Sequence, residues 1–300
     1  MEFLYLLEKL RNPVLDNFML LVTTFGEETA FLVAALIVFW CVDKNRGYYV
    51  LAVGFFGNIL NQFLKLLCRV PRPWVRDPNF TIVEAAREEA SGYSFPSGHS
   101  QTAVGTFGSL AAAGKNKILR WVFIAIAVLV PLSRMYLGVH TPADVLVGSG
   151  CALAMIFAFR FVNDGKFVPH VLAALTVFAL VFIAFVEFFP FPADLDAHNY
   201  ASGVKTAYTL LGAIFGMLLV YFIDKKWVNF PVKAIWWAQL LKIVVGLVLV
   251  LAVKSGLKSP LNAVLGESWG TATRYFLIVM VAGALWPLSF KWFSNLGKKA

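Results

Sequence analysis

Charge is scarce in this chain of 300 residues: only 14% of them are Asp, Glu, Lys or Arg, whereas 59% are hydrophobic. A soluble domain is roughly a quarter charged. The composition therefore excludes an ordinary soluble enzyme, a disordered chain and a coiled coil, and most of the surface must face lipid. Cysteine is scarce too. The three cysteines lie inside apolar runs, which argues against a disulfide scaffold and against a zinc site.

Apolar runs long enough to cross a bilayer recur along the chain. A span needs roughly 20 apolar residues. Nine spans are predicted, at 27–42, 47–69, 98–114, 117–138, 142–163, 168–189, 204–224, 232–253 and 272–293. We expect an all-α bundle of membrane helices with three parts: N-terminal interfacial helices at 1–26, a six-helix core at 27–190, and about three appended spans within 191–300.

The placement of basic residues predicts the orientation. The net charge is +9, but the basic residues lie mostly between apolar segments, so membrane topology explains them better than nucleic-acid binding does. Short basic connections mark the cytoplasmic side, together with the C-terminal Lys298 and Lys299. The N-terminus and the loops 70–97, 190–203 and 254–271 are then expected outside.

Several ionisable residues lie at span ends on that outer side, where charge is unusual. Lys65, Arg72 and Arg134 put three cations at one membrane face. An unpaired cation at membrane depth costs about 2.5–3.5 kcal/mol, and an anion with several acceptor oxygens would offset that cost. Ser97 and Gly98 open a helix whose free N–H groups and dipole also favour an anion. These residues predict a site for phosphate or a mimic such as vanadate.

Two histidines and one carboxylate can supply reactivity there. A neutral imidazole of His140 can attack phosphorus, and a protonated His99 can protonate the leaving oxygen. Asp144 lies four residues after His140 and can hold its ring. Each residue also has a structural interpretation: Thr141 and Asp144 resemble a helix capping box, and single histidines are more often structural. No cluster with metal-ligand spacing occurs, so a metal is not required.

These residues fall in three motifs, Lys65-x6-Arg72-Pro73, Pro96-Ser97-Gly98-His99 and Ser133-Arg134-x5-His140-x3-Asp144. The motifs resemble the signature of the type 2 phosphatidic acid phosphatase (PAP2) superfamily, and every position of that pattern is matched. The resemblance implies that His140 accepts the phosphoryl group, that Asp144 orients it and that His99 is the general acid. It further implies phosphate contacts by Lys65, Arg72, Ser97, Gly98 and Arg134, without a metal or other cofactor.

The sequence thus predicts an integral-membrane phosphatase that acts on a lipid phosphate or a polyprenyl diphosphate through a phosphohistidine. Its partners would be membrane lipids and that substrate, with no nucleic acid. A soluble sugar phosphate is the alternative substrate, because nine spans resemble the layout of glucose-6-phosphatases. A non-catalytic lipid-binding protein and a vanadate-dependent oxidase are less favoured. Lys242, inside a span, is interpreted as structural, with Glu187 as one possible partner, and Asn61 is expected to orient Lys65.

Overall fold

The computed structural model describes residues 1–90, 92–192 and 195–296. The chain is 82% helical, and its described residues contain no strand, which confirms the predicted all-α class. The predicted cytoplasmic Lys298 and Lys299 lie outside the described residues.

Fourteen α-helices occur in this part of the chain: α1 Glu2–Glu8, α2 Pro13–Thr23, α3 Glu28–Cys41, α4 Lys44–Cys68, α5 Pro73–Arg76, α6 Gly98–Ala113, α7 Lys117–Tyr136, α8 Pro142–Ala158, α9 Arg160–Asn163, α10 Val168–Phe188, α11 Ala197–Ile223, α12 Trp236–Gly256, α13 Lys258–Met280 and α14 Phe290–Asn295.

Fewer helices than predicted have the length of a full span. Within the described residues, six helical stretches are long and apolar enough to cross a membrane. Seven qualify if Pro13–Gly26 and Glu28–Cys41, which meet at a 54° bend, form one span. Three of the nine predicted spans coincide with the shorter helices α3, α6 and α8, which have 14, 16 and 17 residues. The predicted loop 254–271 is also wrong, since α12 and α13 cover most of it.

The chain divides into two compact units. The first comprises Met1–Leu32, Phe56–Arg160 and Phe191–Gly203; the second comprises Val33–Phe55, Phe161–Pro190 and the described residues from Val204 onward. Helices α3 and α4 each contribute residues to both units.

In the first unit, α6 is the central helix. It packs against α7 and α8, and α2 with the turn Thr24–Gly26 packs against α7 and α6. Ser97 caps the start of α6, and its Oγ accepts from the Ser100 N–H. Gly148 of α8 lies so close that a Cβ there would fall 2.5 Å from the Ser97 carbonyl oxygen. The close approach holds the starts of α6 and α8 together, and the motif residues lie there.

In the second unit, Lys242 is fully buried and has a structural role. Its ammonium donates to the carbonyl oxygens of Trp40 and Val232 and to Oε1 of Gln239, at 2.9, 3.1 and 3.0 Å. The suggested partner Glu187 instead accepts from the Tyr208 hydroxyl at 3.2 Å. Lys242 thus joins three segments through carbonyl and amide oxygens, and the sequence interpretation named the wrong partner.

Candidate active site

His140 lies in the short connection between α7 and α8 and is buried. Its Nε2 is 2.8 Å from Nη1 of Arg72. A guanidinium can only donate hydrogen bonds, so Nε2 must accept here and the ring hydrogen must sit on Nδ1. His140 is therefore held as the tautomer whose Nε2 carries a lone pair.

Asp144 combines a structural contact with a contact to His140. Its Oδ2 accepts from the Thr141 N–H at 2.7 Å, while its own N–H donates to Oγ1 of Thr141 at 3.3 Å, which completes a capping box at the start of α8. The same Oδ2 lies 3.5 Å from Nδ1 of His140, at the outer limit of a hydrogen bond. Ser94 donates to this oxygen at 2.5 Å and lies 3.5 Å from Nδ1. Asp144 therefore caps α8 and also lies beside the ring of His140, and its role in orienting that ring stays a prediction.

Two of the predicted cations reach the site from α4 and from the start of α5. Arg72 caps α5 and donates through Nε to the Gly92 carbonyl and through Nη1 to the Val139 carbonyl, both at 2.9 Å. Lys65, in the last turn of α4, donates to the Tyr93 carbonyl. The carbonyl oxygens of residues 92 and 93, which belong to one loop, therefore hold both cationic side chains in place.

Arg134, near the end of α7, is fully buried. Its Nη1 donates to Oγ1 of Thr23 at 2.8 Å. Its Nε and Nη2 are buried and have no hydrogen-bond partner among the described residues, and the same is true of Nε2 of His99. Buried donors without partners are costly, so these atoms mark a position where an acceptor ligand would be stabilising.

At the start of α6, the polar groups of Ser97 make hydrogen bonds within the protein. The Ser97 N–H donates to the Asp144 carbonyl at 2.9 Å, and its hydroxyl caps the helix, so both polar groups of Ser97 contact the protein itself. Gly98 is the first helical residue and lies beside Asn61, with an ideal Cβ position 3.4 Å from Oδ1. Asn61 donates to the Pro96 carbonyl and to Oε1 of Gln101, at 3.4 and 2.9 Å, and it makes no hydrogen bond to Lys65 in the described structure.

A cavity of about 400 Å³ brings the predicted residues together. Its lining comprises Gly26, Glu27, Glu28, Thr29, Asn58, Asn61, Gln62, Lys65, Arg72, Glu89, Gly98, His99, Thr102 and His140. Five predicted site residues are among them, while Ser97, Arg134 and Asp144 are buried just behind this surface. Apart from its two glycines, this lining consists of polar and charged residues, so it is a polar site.

The surroundings of His140 favour its neutral form. Burial lowers the pKa of His140 well below 6.5, and the positive charges of Arg72 and Arg134 lower it further. A neutral ring with a lone pair on Nε2 is the form that can act as a nucleophile.

In residues 1–90, 92–192 and 195–296, no group of three His, Cys, Asp or Glu side chains has the arrangement of a metal site.

Sequence reasoning missed several residues of this site. Ser94 and Thr23 contact Asp144 and Arg134 from distant parts of the chain, and Glu27, Glu28 and Glu89 line the cavity. Ser94 lies three residues before the Ser97 motif, which was a weak local signal. Thr23 and the carboxylates had no signal, since their positions depend on tertiary packing.

The fold defines a multi-span membrane protein whose polar cavity joins buried cations with two histidines. Comparison with known families then identifies it: the profile of the PAP2 superfamily matches residues 45–167. The profile described as PAP2 superfamily phosphatase, transmembrane extension, matches residues 208–299. The chain therefore belongs to the PAP2 superfamily and is a phosphatase of that type.

Curated relatives agree with this assignment. The chain is 28% identical over 152 residues to undecaprenyl-diphosphatase BcrC of Bacillus subtilis, covering 50% of this chain and 75% of that protein. It is 31% identical over 164 residues to phosphatidylglycerophosphatase B of the same organism, covering 50% and 76%. It is 30% identical over 173 residues to a probable sphingosine-1-phosphate phosphatase of Dictyostelium discoideum, covering 52% and 40%. No solved structure matches the chain.

Proposed function

We propose that this phosphatase hydrolyses a lipid phosphate or a polyprenyl diphosphate through a phosphohistidine on His140. The single observation that supports the proposal most is the pairing of Nε2 of His140 with the guanidinium of Arg72 at 2.8 Å, in a cavity that also contains His99. We expect these three side chains to act on one phosphoryl group, as nucleophile, phosphate-binding cation and acid.

In the first step, Nε2 of His140 attacks phosphorus and forms a P–N bond. The bond from phosphorus to the leaving oxygen breaks, and His99 gives its proton to that oxygen. In the second step, the now neutral His99 takes a proton from water. The oxygen of that water attacks phosphorus, the P–N bond breaks, and inorganic phosphate leaves.

The remaining motif residues position the phosphoryl group and stabilise its charge. Lys65, Arg72, Arg134 and the Gly98 N–H hold the equatorial oxygens, and Asp144 stabilises the positive ring of His140 during attack. Ser97 acts at the same helix start, by capping the turn whose amides face the phosphate. These cations provide the charge that a metal supplies in other phosphatases, so we propose a metal-independent reaction. Full activity in excess EDTA is the expected result.

Covalent labelling tests the intermediate. Wild-type protein quenched during turnover of a ³²P-labelled substrate should carry acid-labile, base-stable phosphate. His140→Ala should carry none, whereas His99→Ala should lose turnover. His170→Ala is a matched control, because His170 is exposed in the second unit, and it should label and turn over as wild type does. Labelling that persists in His140→Ala would remove His140 from the proposed role.

The polar lining gives a specific reason to keep the second candidate, a phosphomonoester of a polyol such as a sugar phosphate. Glu27, Glu28 and Glu89 can accept hydrogen bonds from hydroxyl groups beside the phosphate and would repel a second phosphate. Two of the relatives are named for lipid-linked substrates, undecaprenyl diphosphate and phosphatidylglycerophosphate. A detergent assay with phosphatidic acid, phosphatidylglycerol phosphate, undecaprenyl diphosphate and glucose 6-phosphate distinguishes these classes by kcat/KM.

We further propose that the site opens to the extracytoplasmic face and that the C-terminus is cytoplasmic, as the basic connections indicate. Cys68 is exposed at the end of α4, close in sequence to Arg72, and it provides a reporter. With Cys41 and Cys151 changed to Ala, a membrane-impermeant maleimide should label Cys68 in intact cells. Labelling only after the cells are opened would place the site on the cytoplasmic side.

A further inference from the structure

The segment before the family match contacts the candidate site directly. The superfamily profile begins at residue 45, yet α2 and the turn Thr24–Gly26 pack against the helices that carry His99 and Arg134. A Cβ on Gly26 would fall 2.9 Å from Cβ of His99 and 3.0 Å from its carbonyl oxygen. Part of the segment 1–26, which the sequence suggested as interfacial helices, therefore packs directly against the helices that carry His99 and Arg134.

Thr23 is the residue of this segment that contacts a site cation. Its Oγ1 accepts from Nη1 of Arg134 at 2.8 Å, and the two residues are 4% and 0% exposed. At such burial, bulk water cannot replace the contact. The orientation of the guanidinium therefore depends on the few partners that the protein supplies.

The bond from Nη1 to Thr23 leaves Nε and Nη2 of Arg134, which form one edge of the guanidinium, available for a ligand. Nε and Nη2 project their hydrogens in parallel, which is the geometry that grips two oxygens of a phosphate at once. These are the two nitrogens of Arg134 that have no partner in the described part of the chain. The hydroxyl of Thr23 accepts from the third nitrogen, Nη1, and so fixes the direction in which the edge formed by Nε and Nη2 points.

We propose that Thr23 is a positioning residue, which orients Arg134 so that Nε and Nη2 bind the phosphoryl group. The inference rests on the proposed function, in which Arg134 contacts phosphate. It predicts a loss in both the binding of a phosphate mimic and the rate, because orthovanadate and the transition state use the same edge.

Thr23→Val removes the acceptor and keeps the shape of the side chain. A hydrogen bond to a charged group is typically worth about 10- to 100-fold in an equilibrium or a rate. We therefore expect kcat/KM to fall about tenfold or more, and the inhibition constant for orthovanadate to rise by a similar factor. Thr23→Ser keeps the hydroxyl and should stay within about threefold of wild type. The matched control is Thr24→Val, since Thr24 is exposed and its hydroxyl donates to the Leu21 carbonyl; it should behave as wild type.

A double-mutant cycle separates positioning from packing. In an Arg134→Gln background, Thr23→Val should cause no further loss of kcat/KM or of vanadate binding. Two results would overturn the inference: Thr23→Val with unchanged vanadate inhibition, or equal, additive losses in both backgrounds. Protection of the wild type against thermal unfolding by orthovanadate gives a readout without turnover. If no phosphate ester is hydrolysed, the proposed function fails, while loss of this protection in Thr23→Val and its retention in Thr23→Ser still support the positioning role.

Discussion

Replacing Asp144 with Asn removes one negative charge beside His140 and keeps the shape of the side chain. Oδ2 of Asp144 lies 3.5 Å from Nδ1 of His140 and accepts from the Thr141 N–H at 2.7 Å. An Asn oxygen can still accept from that N–H, so the capped start of α8 is retained. The substitution therefore tests the charge of Asp144 separately from its structural contact.

The size of the effect follows from Coulomb's law. Two unit charges about 4 Å apart attract by about 4 kcal/mol at an effective dielectric constant of about 20. In the proposed mechanism His140 gains positive charge as it attacks phosphorus. With roughly half of that charge present midway through the step, we expect a loss of about 2 kcal/mol of transition-state stabilisation. This loss corresponds to a decrease in kcat of about 30-fold.

The pH dependence provides a second signature of the same change. Without the carboxylate, protonated His140 is less stable, so its pKa falls further and the acid limb of kcat/KM moves to lower pH. Steady-state phosphate release between pH 4.5 and 9 measures both effects. Asp77→Asn is the control, because Asp77 accepts from the Tyr5 hydroxyl in the same unit and has no contact with His140 in the described structure. A kcat for Asp144→Asn within threefold of wild type, with an unmoved acid limb, would refute the reasoning.

Four further changes or conditions test other parts of the structure. Ser94→Ala removes the hydroxyl that holds Oδ2 of Asp144 and should lower kcat about tenfold with little change in KM, measured by steady-state kinetics; an unchanged kcat contradicts this. Gly138→Ala, at φ +83°, should destabilise the protein by about 1–2 kcal/mol in a denaturation assay, whereas Gly150→Ala, where an added Cβ has open space, should not. Lys242→Met removes the donor to the Trp40 carbonyl and to Oε1 of Gln239, while the Val232 carbonyl keeps its bond from Nε2 of Gln239, so the free energy of unfolding should fall by about 1–3 kcal/mol; an unchanged melting temperature contradicts a structural role for these bonds. Because burial lowers the pKa of His140, the acid limb of wild-type kcat/KM should lie below pH 6.5, and a limb above that value contradicts a neutral nucleophile.

The helical class could be predicted because hydropathy is a local property, but the surroundings of each helix could not. The predicted span 98–114 is a 16-residue helix with buried Ser100, Gln101, Thr106 and Ser109. Its low charge reflects burial among protein helices rather than contact with lipid, and hydropathy alone does not distinguish the two environments. Similarly, the polar segment 258–271 was expected as a loop, yet it is helical apart from Gly266, which has φ +76°.

The motif residues of the site could be found because their spacing is fixed along the chain. Their supports could not, since Thr23 and Arg134 are 111 residues apart and Ser94 and Asp144 are 50 apart. Ser97 is a motif residue that the sequence identified, but its predicted contact is not the one that the structure contains. The motif suggested a phosphate contact, but its N–H donates to the Asp144 carbonyl, so its role in phosphate binding stays a prediction that only a bound ligand can test.

The contact between Arg72 and His140 gives the proposed mechanism an order of events. While Nη1 of Arg72 donates to Nε2, the lone pair that must attack phosphorus is occupied. A hydrogen bond from a guanidinium to a phosphate oxygen joins two charged groups and is stronger than one to a neutral imidazole. In the proposed mechanism, we therefore expect an arriving phosphate to draw the guanidinium away and free Nε2. Burial lowers the pKa of His140 and the charge of Arg72 lowers it further, so in this mechanism Arg72 favours a neutral nucleophile and shields it until a substrate is bound.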